Sequence, residues 1–332
     1  MLAAYAARTD ADQPLNALQV GELDVASTPG GQQTPDDWVE VELRAAALNH
    51  HDLFSLRGVG LSADQCPMVL GCDAAGIGPD GAEVIVHAVI NAPGFSGPDT
   101  TTDPRRSLLS ERCPGTLAER IRVPAANLIA KPAELSFAEA ACLPTAWLTA
   151  YRMLFVRSGV RPGDTVLVQG AGGGVATALI LLARHAGLRV WVTSRSAERG
   201  ERAVGLGAHA WFPSGERLPE RVDAVLESVG AATWSHSINA LKPGGTVVIC
   251  GTTSGAEPSK AELTKIFFKP LQVVGSTMGT REELVGLAAM LVATGLRPVI
   301  DSTLPLTAAA DAFARLESGA GFGKIVLTAG RN

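Results

Sequence analysis

The feature that most constrains this chain is an apolar strand that runs directly into a glycine-rich turn. Thr165-Val166-Leu167-Val168-Gln169 is followed by Gly170-Ala171-Gly172-Gly173-Gly174-Val175-Ala176 and then by an apolar helical stretch. A strand this apolar is buried on both faces, which a parallel sheet covered by helices provides. The sequence around it repeats the alternation. Strands are expected at Thr165–Gln169, Arg189–Thr193, Val222–Glu227, Thr246–Cys250 and Leu271–Ser276, with helices at Val175–Ala186, Glu198–Leu206, Thr233–Leu241 and Lys260–Phe268. Strands alternating with helices of this length predict right-handed βαβ units in a doubly wound parallel sheet, an α/β fold.

The turn itself reads as G-x-G-x-x-G/A. Gly170 makes the tight turn, and Gly172 lets backbone amides approach a pyrophosphate. Gly173, Gly174 and Val175 complete the cradle, and Ala176 allows close helix–strand packing. A diphosphate on the following helix N-terminus would meet free N–H groups and a favourable dipole. Glycine turns also arise for packing alone, but one set between a strand and a helix in a βαβ unit predicts a dinucleotide. The second strand indicates which. A carboxylate about 20 residues after the turn would hydrogen-bond the ribose 2′-hydroxyl of NAD. Here Val190-Trp191-Val192-Thr193 ends instead in Ser194-Arg195-Ser196-Ala197-Glu198-Arg199. Arg195 and Arg199, with Ser194, suit a 2′-phosphate, so NADPH is expected. The same arginines read otherwise as solvated side chains at a helix start.

The first half has a different texture. Trp38–Leu43 alternates with period two, and Glu83–His87 follows the turn Gly78-Pro79-Asp80-Gly81. A short helix is expected over His50–Arg57, and further strands at Ile121–Val123 and Asn127–Ile129. Asn91–Pro114, rich in Pro, Gly, Thr and Asp, reads as a long surface loop. Ala138–Leu154 is helical in pattern, with Pro144 obliged to kink or start a helix.

Composition narrows the function classes. A chain of 332 residues predicts roughly two domains. Its 46% hydrophobic content excludes disorder, and a net charge of −5 argues against a nucleic-acid partner. The longest apolar run, Val175–Ala183, is too short for a membrane span of ~20 residues. Met1–Asp12 lacks the pattern of a signal peptide. Five scattered cysteines, never in a Cys-x-x-Cys pair, suit free thiols and a cytoplasmic location.

Several blocks, taken together and in order, resemble the medium-chain dehydrogenase/reductase superfamily over nearly the whole chain. They are Ala47-Leu48-Asn49-His50-His51-Asp52, Leu70-Gly71-Cys72-Asp73-Ala74-Ala75-Gly76, Gly115-Thr116-Leu117-Ala118-Glu119, Glu139-Ala140-Ala141-Cys142-Leu143-Pro144 and Leu148-Thr149-Ala150. The glycine turn, Lys242-Pro243-Gly244-Gly245 and Gly323-Lys324-Ile325-Val326-Leu327 complete the set. The resemblance implies a GroES-like β-rich catalytic domain over residues 1–147, a Rossmann cofactor domain over 148–275, and a return segment, 276–332, completing the first. It also implies Thr149 near the nicotinamide and a homodimer paired through the strand Leu271–Gly275, an edge that would otherwise invite aggregation.

Alcohol-dehydrogenase members hold a catalytic zinc at positions matching Asn49, Cys72 and Thr145 here, a poor ligand set. The structural-zinc lobe needs four close cysteines, and Asn91–Gly115 supplies only Cys113. No zinc is expected, although His50, His51, Cys72 and Asp73 are ligand types near one another in sequence blocks. Without that Lewis acid, the resemblance points to the quinone oxidoreductase and enone-reductase branch, with a quinone or an α,β-unsaturated carbonyl as substrate. Asn49 is the expected donor to the substrate carbonyl or nicotinamide. His51 is the expected proton source and Asp52 its orienting partner, Asp52 alternatively bracing the backbone. Gly251 would let the cofactor approach the sheet. Lys324 would meet a cofactor phosphate or lie on the surface. The competing readings are a zinc alcohol dehydrogenase with atypical ligands and a non-catalytic NADPH-binding module.

Overall fold

The structure, a computed structural model, describes residues 1–31, 35 and 37–329. The chain divides into two units, Met1–Thr145 with Thr280–Asn332, and Ala146–Gly279. The first is therefore built from both ends of the sequence.

In chain order the first unit begins with β1 (Leu2–Ala6), β2 (Leu18–Glu22), β3 (Trp38–Ala47), α1 (His50–Leu56), β4 (Met68–Val69), β5 (Asp73–Ile77) and β6 (Glu83–Val86). It continues through β7 (Val89–Ile90), β8 (Ser107–Leu108), β9 (Arg120–Pro124), β10 (Leu128–Ala130) and α2 (Phe137–Ala141). The period-two alternation of Trp38–Leu43 extends into a ten-residue strand whose later residues are buried throughout. The long loop is more structured than its composition predicts. It contains β8 and a 3₁₀ turn at Thr100–Thr102, and the Asp103 carboxylate, 0% exposed, accepts bonds from Ala92 N at 2.7 Å and Arg105 N at 2.9 Å. A buried carboxylate with backbone donors stands in for an apolar core in such a segment.

The second unit runs α3 (Leu148–Arg152), β11 (Thr165–Val168), α4 (Gly174–His185), β12 (Arg189–Ser194), α5 (Ala197–Gly205), β13 (Ala210–Pro213), β14 (Val222–Glu227) and α6 (Trp234–Ala240). It ends with β15 (Leu241–Ile249), α7 (Leu263–Phe268) and β16 (Gln272–Gly275). Its six strands form one sheet in the order β13-β12-β11-β14-β15-β16, all pairs parallel. This is the Rossmann arrangement expected from the alternation. Every residue of β11 is buried, as its apolar run requires. The order places β11 next to both β12 and β14, so the chain reverses direction across the sheet just beyond the glycine turn. That crevice is where α/β sheets bind ligands. β13 was not expected, because Ala210-Trp211-Phe212-Pro213 is too short to show a period and ends in proline. It survives as an edge strand, where a missing N–H is tolerated. Pro144 does interrupt the Ala138–Leu154 helix. α2 ends at Ala141, and wide π-type turns at Leu143–Trp147 and Met153–Arg157 flank α3.

The return segment adds α8 (Arg281–Thr294), β17 (Ile300–Pro305), α9 (Ala309–Ser318) and β18 (Lys324–Thr328) to the first unit. There β18 pairs antiparallel with β3 and parallel with β17, inside a seven-stranded sheet of order β10-β6-β5-β3-β18-β17 with β9 also on β3. Phe313 of α9 and Ile325 and Leu327 of β18 join the same apolar core as Val41, Leu43, Leu48 and Leu53. Burying each such side chain stabilises by ~1.5–3 kcal/mol, so the C-terminal segment is integral to the core.

One glycine in α5 tests this packing. Replacing an interior helical glycine by alanine ordinarily stabilises a helix by ~1 kcal/mol. At Gly200 a Cβ would run into the Trp211 indole of β13, so the sign reverses. Gly200→Ala is expected to lower stability by about 1–3 kcal/mol in denaturant unfolding; an unchanged or raised midpoint would contradict the packing described.

Candidate functional site

In the second unit, Gly170 follows β11 with φ +85°, the left-handed conformation that favours glycine. Gly172 and Ala176 are buried, Gly173 is exposed with open space where a Cβ would stand, and Gly174 and half-buried Val175 begin α4. Among the described residues no side chain caps α4, so the N–H groups of its first turn are open to an anion. This is the cradle the motif predicts, and its residues fit a dinucleotide diphosphate.

What holds the cradle was not anticipated. Gly170 N donates to Thr193 Oγ1 at 3.2 Å, and that hydroxyl donates to Gln169 Oε1 at 2.6 Å. Gln169 Nε2 donates in turn to Ser237 Oγ and His236 Nδ1, each at 2.9 Å. Ser237 Oγ donates to Glu227 Oε2 at 2.6 Å, where Thr233 Oγ1 also donates, and Glu227 Oε1 accepts from Val229 N and Gly230 N. Gln169, Thr193, Glu227 and Ser237 are all fully buried. The network joins the carboxyl ends of β11, β12 and β14 to α6. A polar residue closing an otherwise apolar strand, Gln169 or Glu227, was the available signal. Gly230 must be glycine, since φ is +94° and a Cβ would lie 2.6 Å from Gly255 O. Gly251 would place a Cβ 3.2 Å from Ser228 O, and Thr149 on α3 is 7% exposed.

At the end of β12, Ser194 Oγ donates to Ser196 O at 2.7 Å and accepts from Ser196 N, so this hydroxyl shapes the turn. Ser196 caps α5 by accepting from Arg199 N. Arg195 is exposed, while Arg199 is half-buried. The residues that end and follow β12 are Ser194, Arg195 and Ser196, with no carboxylate among them.

In the first unit, α1 presents the second set of expected residues; the roles given to Asn49 and Lys324 need correction, and Asp52 takes the second of its two expected readings. Asn49 is 8% exposed, and its Nδ2 donates to Asp73 Oδ2 at 2.9 Å and Ala47 O at 3.3 Å. Both amide protons are engaged inside the protein, so Asn49 has none to offer a substrate. Lys324 is neither on the surface nor free for a phosphate. It is 3% exposed, and its Nζ donates to Leu48 O and Asn49 Oδ1 at 2.7 Å and to Asp73 Oδ2 at 3.0 Å, which uses all three protons. Asp52, 0% exposed, accepts from Asn49 N at 2.8 Å and Gly71 N at 3.1 Å. It braces the backbone rather than orienting an imidazole.

His51 keeps an open role. Its Nε2 lies 3.4 Å from Ser110 Oγ and 3.5 Å from Ser55 Oγ. Ser110 has φ +72°, a left-handed conformation unusual for serine, and its Oγ also lies 3.7 Å from Cys72 Sγ. Strained backbone of this kind tends to gather at functional sites. Burial pushes the Cys72 thiol well above its usual range, and Asp52 adds to this; the thiol donates to Leu109 O at 3.2 Å. A catalytic zinc takes three protein ligands drawn from Cys, His and carboxylate side chains. Of the positions matched to a catalytic zinc, Asn49 faces an ammonium and Thr145 offers only a hydroxyl, which leaves Cys72 as the one good zinc ligand of the three. The residues present do not fit that metal. Among the described residues no group of three or more His, Cys, Asp or Glu is placed to hold a metal ion.

Burial also raises the Asp52 carboxyl to about 6, against the opposing pull of His51 and of its backbone donors. A carboxyl raised above its unfolded value makes the folded state bind the extra proton, so its contribution to stability declines as pH rises. Wild-type stability measured against Asp52→Asn should diverge between the unfolded value near 3.8 and about 6. The wild type should lose relative stability across that window and run parallel to the variant above it; a parallel course throughout would refute the shift.

Comparison with known proteins places this geometry in a family. The model for the alcohol dehydrogenase GroES-like domain matches residues 35–133, and that for the zinc-binding dehydrogenase matches residues 208–327. A 2-methylene-furan-3-one reductase of Solanum lycopersicum is 31% identical over 320 residues, covering 92% of this chain and 76% of that protein. A crystal structure of an NAD-dependent alcohol dehydrogenase is 32% identical with a TM-score of 0.89, covering 99% of this chain and all of the other. A crotonyl-CoA carboxylase/reductase, AntE, in complex with NADP is 25% identical with a TM-score of 0.87, covering 99% and 94%. Glycine turn, parallel sheet, GroES-like unit and C-terminal return all agree: the chain belongs to the medium-chain dehydrogenase/reductase superfamily of oxidoreductases.

Proposed function

We propose that the chain reduces a quinone or an α,β-unsaturated carbonyl compound with NADPH and without catalytic zinc. The observation that carries this reading is the Lys324 ammonium against Asn49, at a position where zinc members of the family place a ligand. With that position engaged, the chemistry that remains favourable is addition to a carbon already polarised by conjugation. The relative named a 2-methylene-furan-3-one reductase and the structural neighbour named a crotonyl-CoA carboxylase/reductase support this reading.

NADPH supplies the hydride when bound. The cradle Gly170–Ala176 would hold its diphosphate, Arg195 and Arg199 its 2′-phosphate, and Thr149 and Gly251 the nicotinamide side. His51 is the proton source. Its Nε2 is anchored beside two hydroxyls, through which a proton can be passed. Asn49, Asp52 and Lys324 keep the α1 entrance rigid beneath it.

The second unit carries the dimer proposal. β16 ends the parallel sheet with its outer edge unpaired among the described residues, and Val273 on it is 45% exposed. On α7, just before it, Leu263, Phe267 and Phe268 are 69%, 65% and 75% exposed. A second copy laid against this edge would pair the strand and cover the aromatic side chains.

Purified protein is expected to oxidise NADPH with an enone or quinone in the presence of a chelator and to contain less than stoichiometric zinc. Stoichiometric zinc with alcohol oxidation would favour the zinc alcohol dehydrogenase reading, and tight NADPH binding with no acceptor reduced would favour a non-catalytic module. Arg195→Ala with Arg199→Ala should raise KM for NADPH about 10–100-fold, the worth of one charge-assisted hydrogen bond, and leave NADH little changed. His51→Gln should lower kcat by ~100-fold or more; an unchanged kcat would remove His51 from the reaction. Sedimentation should show a dimer that Val273→Asp dissociates.

A further inference from the structure

Three oxygens of the first unit converge on one nitrogen. Leu48 O and Asn49 Oδ1 lie 2.7 Å from Lys324 Nζ, and Asp73 Oδ2 lies 3.0 Å away. They come from the turn before α1 and the first residue of β5, while the lysine is the first residue of β18. Lys324 is 3% exposed and Asp73 0% exposed. The other Asp73 oxygen, Oδ1, is buried with no hydrogen-bond partner among the described residues. The charge of Asp73 is therefore balanced by this single ammonium. Carboxylate, amide and backbone oxygens gathered around a buried point are the donor set that hard cations take. Here the occupant is part of the chain.

The geometry points to Lys324 as a built-in cation: its ammonium fills an oxygen-lined cation site in the catalytic unit and does there the positioning work that a bound metal ion would do. The site joins Asn49 at the α1 N-terminus to β5 and β18, so the ammonium sets where α1, and His51 on it, begins. It acts through Asn49 and Asp73, and it is a positioning residue. The inference does not depend on the substrate, and its consequence is specific. If the oxygens form a cation site in their own right, removing the side chain leaves a cavity that selects a free alkylammonium ion. Lys324→Ala deletes three methylene groups and the ammonium, which n-propylammonium matches in length and charge.

The test is chemical rescue of Lys324→Ala, read by thermal unfolding. Leaving a buried carboxylate uncompensated should lower the melting temperature by roughly 10 °C or more. n-Propylammonium chloride should raise it again in a saturable manner and should leave the wild type unshifted. n-Propanol, with the shape but no charge, and tetramethylammonium, with charge but no N–H donor, should not restore it at equal concentration and ionic strength. Lys324→Met, which fills the cavity without a cation, should stay destabilised and should not respond. If Lys324→Ala is unfolded without additives, the same three solutes and sodium chloride are compared by yield on refolding from urea. Recovery that depends on n-propylammonium supports the proposal. Equal effects of n-propylammonium and sodium, or a Lys324→Met variant that melts like the wild type, would overturn it. Absence of enone turnover by the wild type would count against the proposed reaction and leave this result standing.

Discussion

The first unit depends on one buried ion pair. Lys324 and Asp73 sit in strands separated by most of the sequence, and each would be costly to bury alone. The pair is tolerable because all three ammonium protons find oxygens, two of them outside the carboxylate. That requirement links events distant along the chain. The pairing of β18 with β3 brings the lysine to Leu48 and Asn49 at the start of α1. The shared apolar core supplies the favourable energy, while the polar cluster specifies where the strand ends must lie.

The second unit solves a similar problem with neutral groups. A parallel sheet exposes backbone at its carboxyl edge, and the glycine turn leaves amides free for a ligand. Gln169, Thr193, Ser237 and Glu227 satisfy one another beneath that edge and pass hydrogen bonds from Gly170 to Gly230. A fully satisfied buried network is rigid, because each lost bond would strand a desolvated partner. The cradle can thus remain open toward a cofactor and still keep its shape.

Legibility followed the range of the interactions. β11, β12 and β14 were readable within a residue because apolar runs and turn residues are local signals. The glycine turn was readable because its spacing carries its conformation. β13 was not, since four residues with a proline show no period. Asn49 and Lys324 were recognised as important and given the wrong work. A sequence displays an amide and an ammonium as available donors, and nothing local reveals that each points at the other. Asp52 shows the middle case: its spacing from Asn49 allowed a capping role, and burial made that role the observed one.

The sequence by itself determined the alternation of strands and helices, the dinucleotide turn, and the run Ser194-Arg195-Ser196 that follows β12 in place of an acid. Each of these is written within a few neighbouring residues, where backbone geometry and side-chain chemistry suffice. Only the tertiary structure decided that Lys324 lies inside against Asp73 and Asn49, that Asp52 is a brace, and that Gln169 and Glu227 share a network. Those facts depend on which distant groups burial brings together, and burial is a property of the assembled chain, in which a polar group removed from water must take whatever partner the fold supplies.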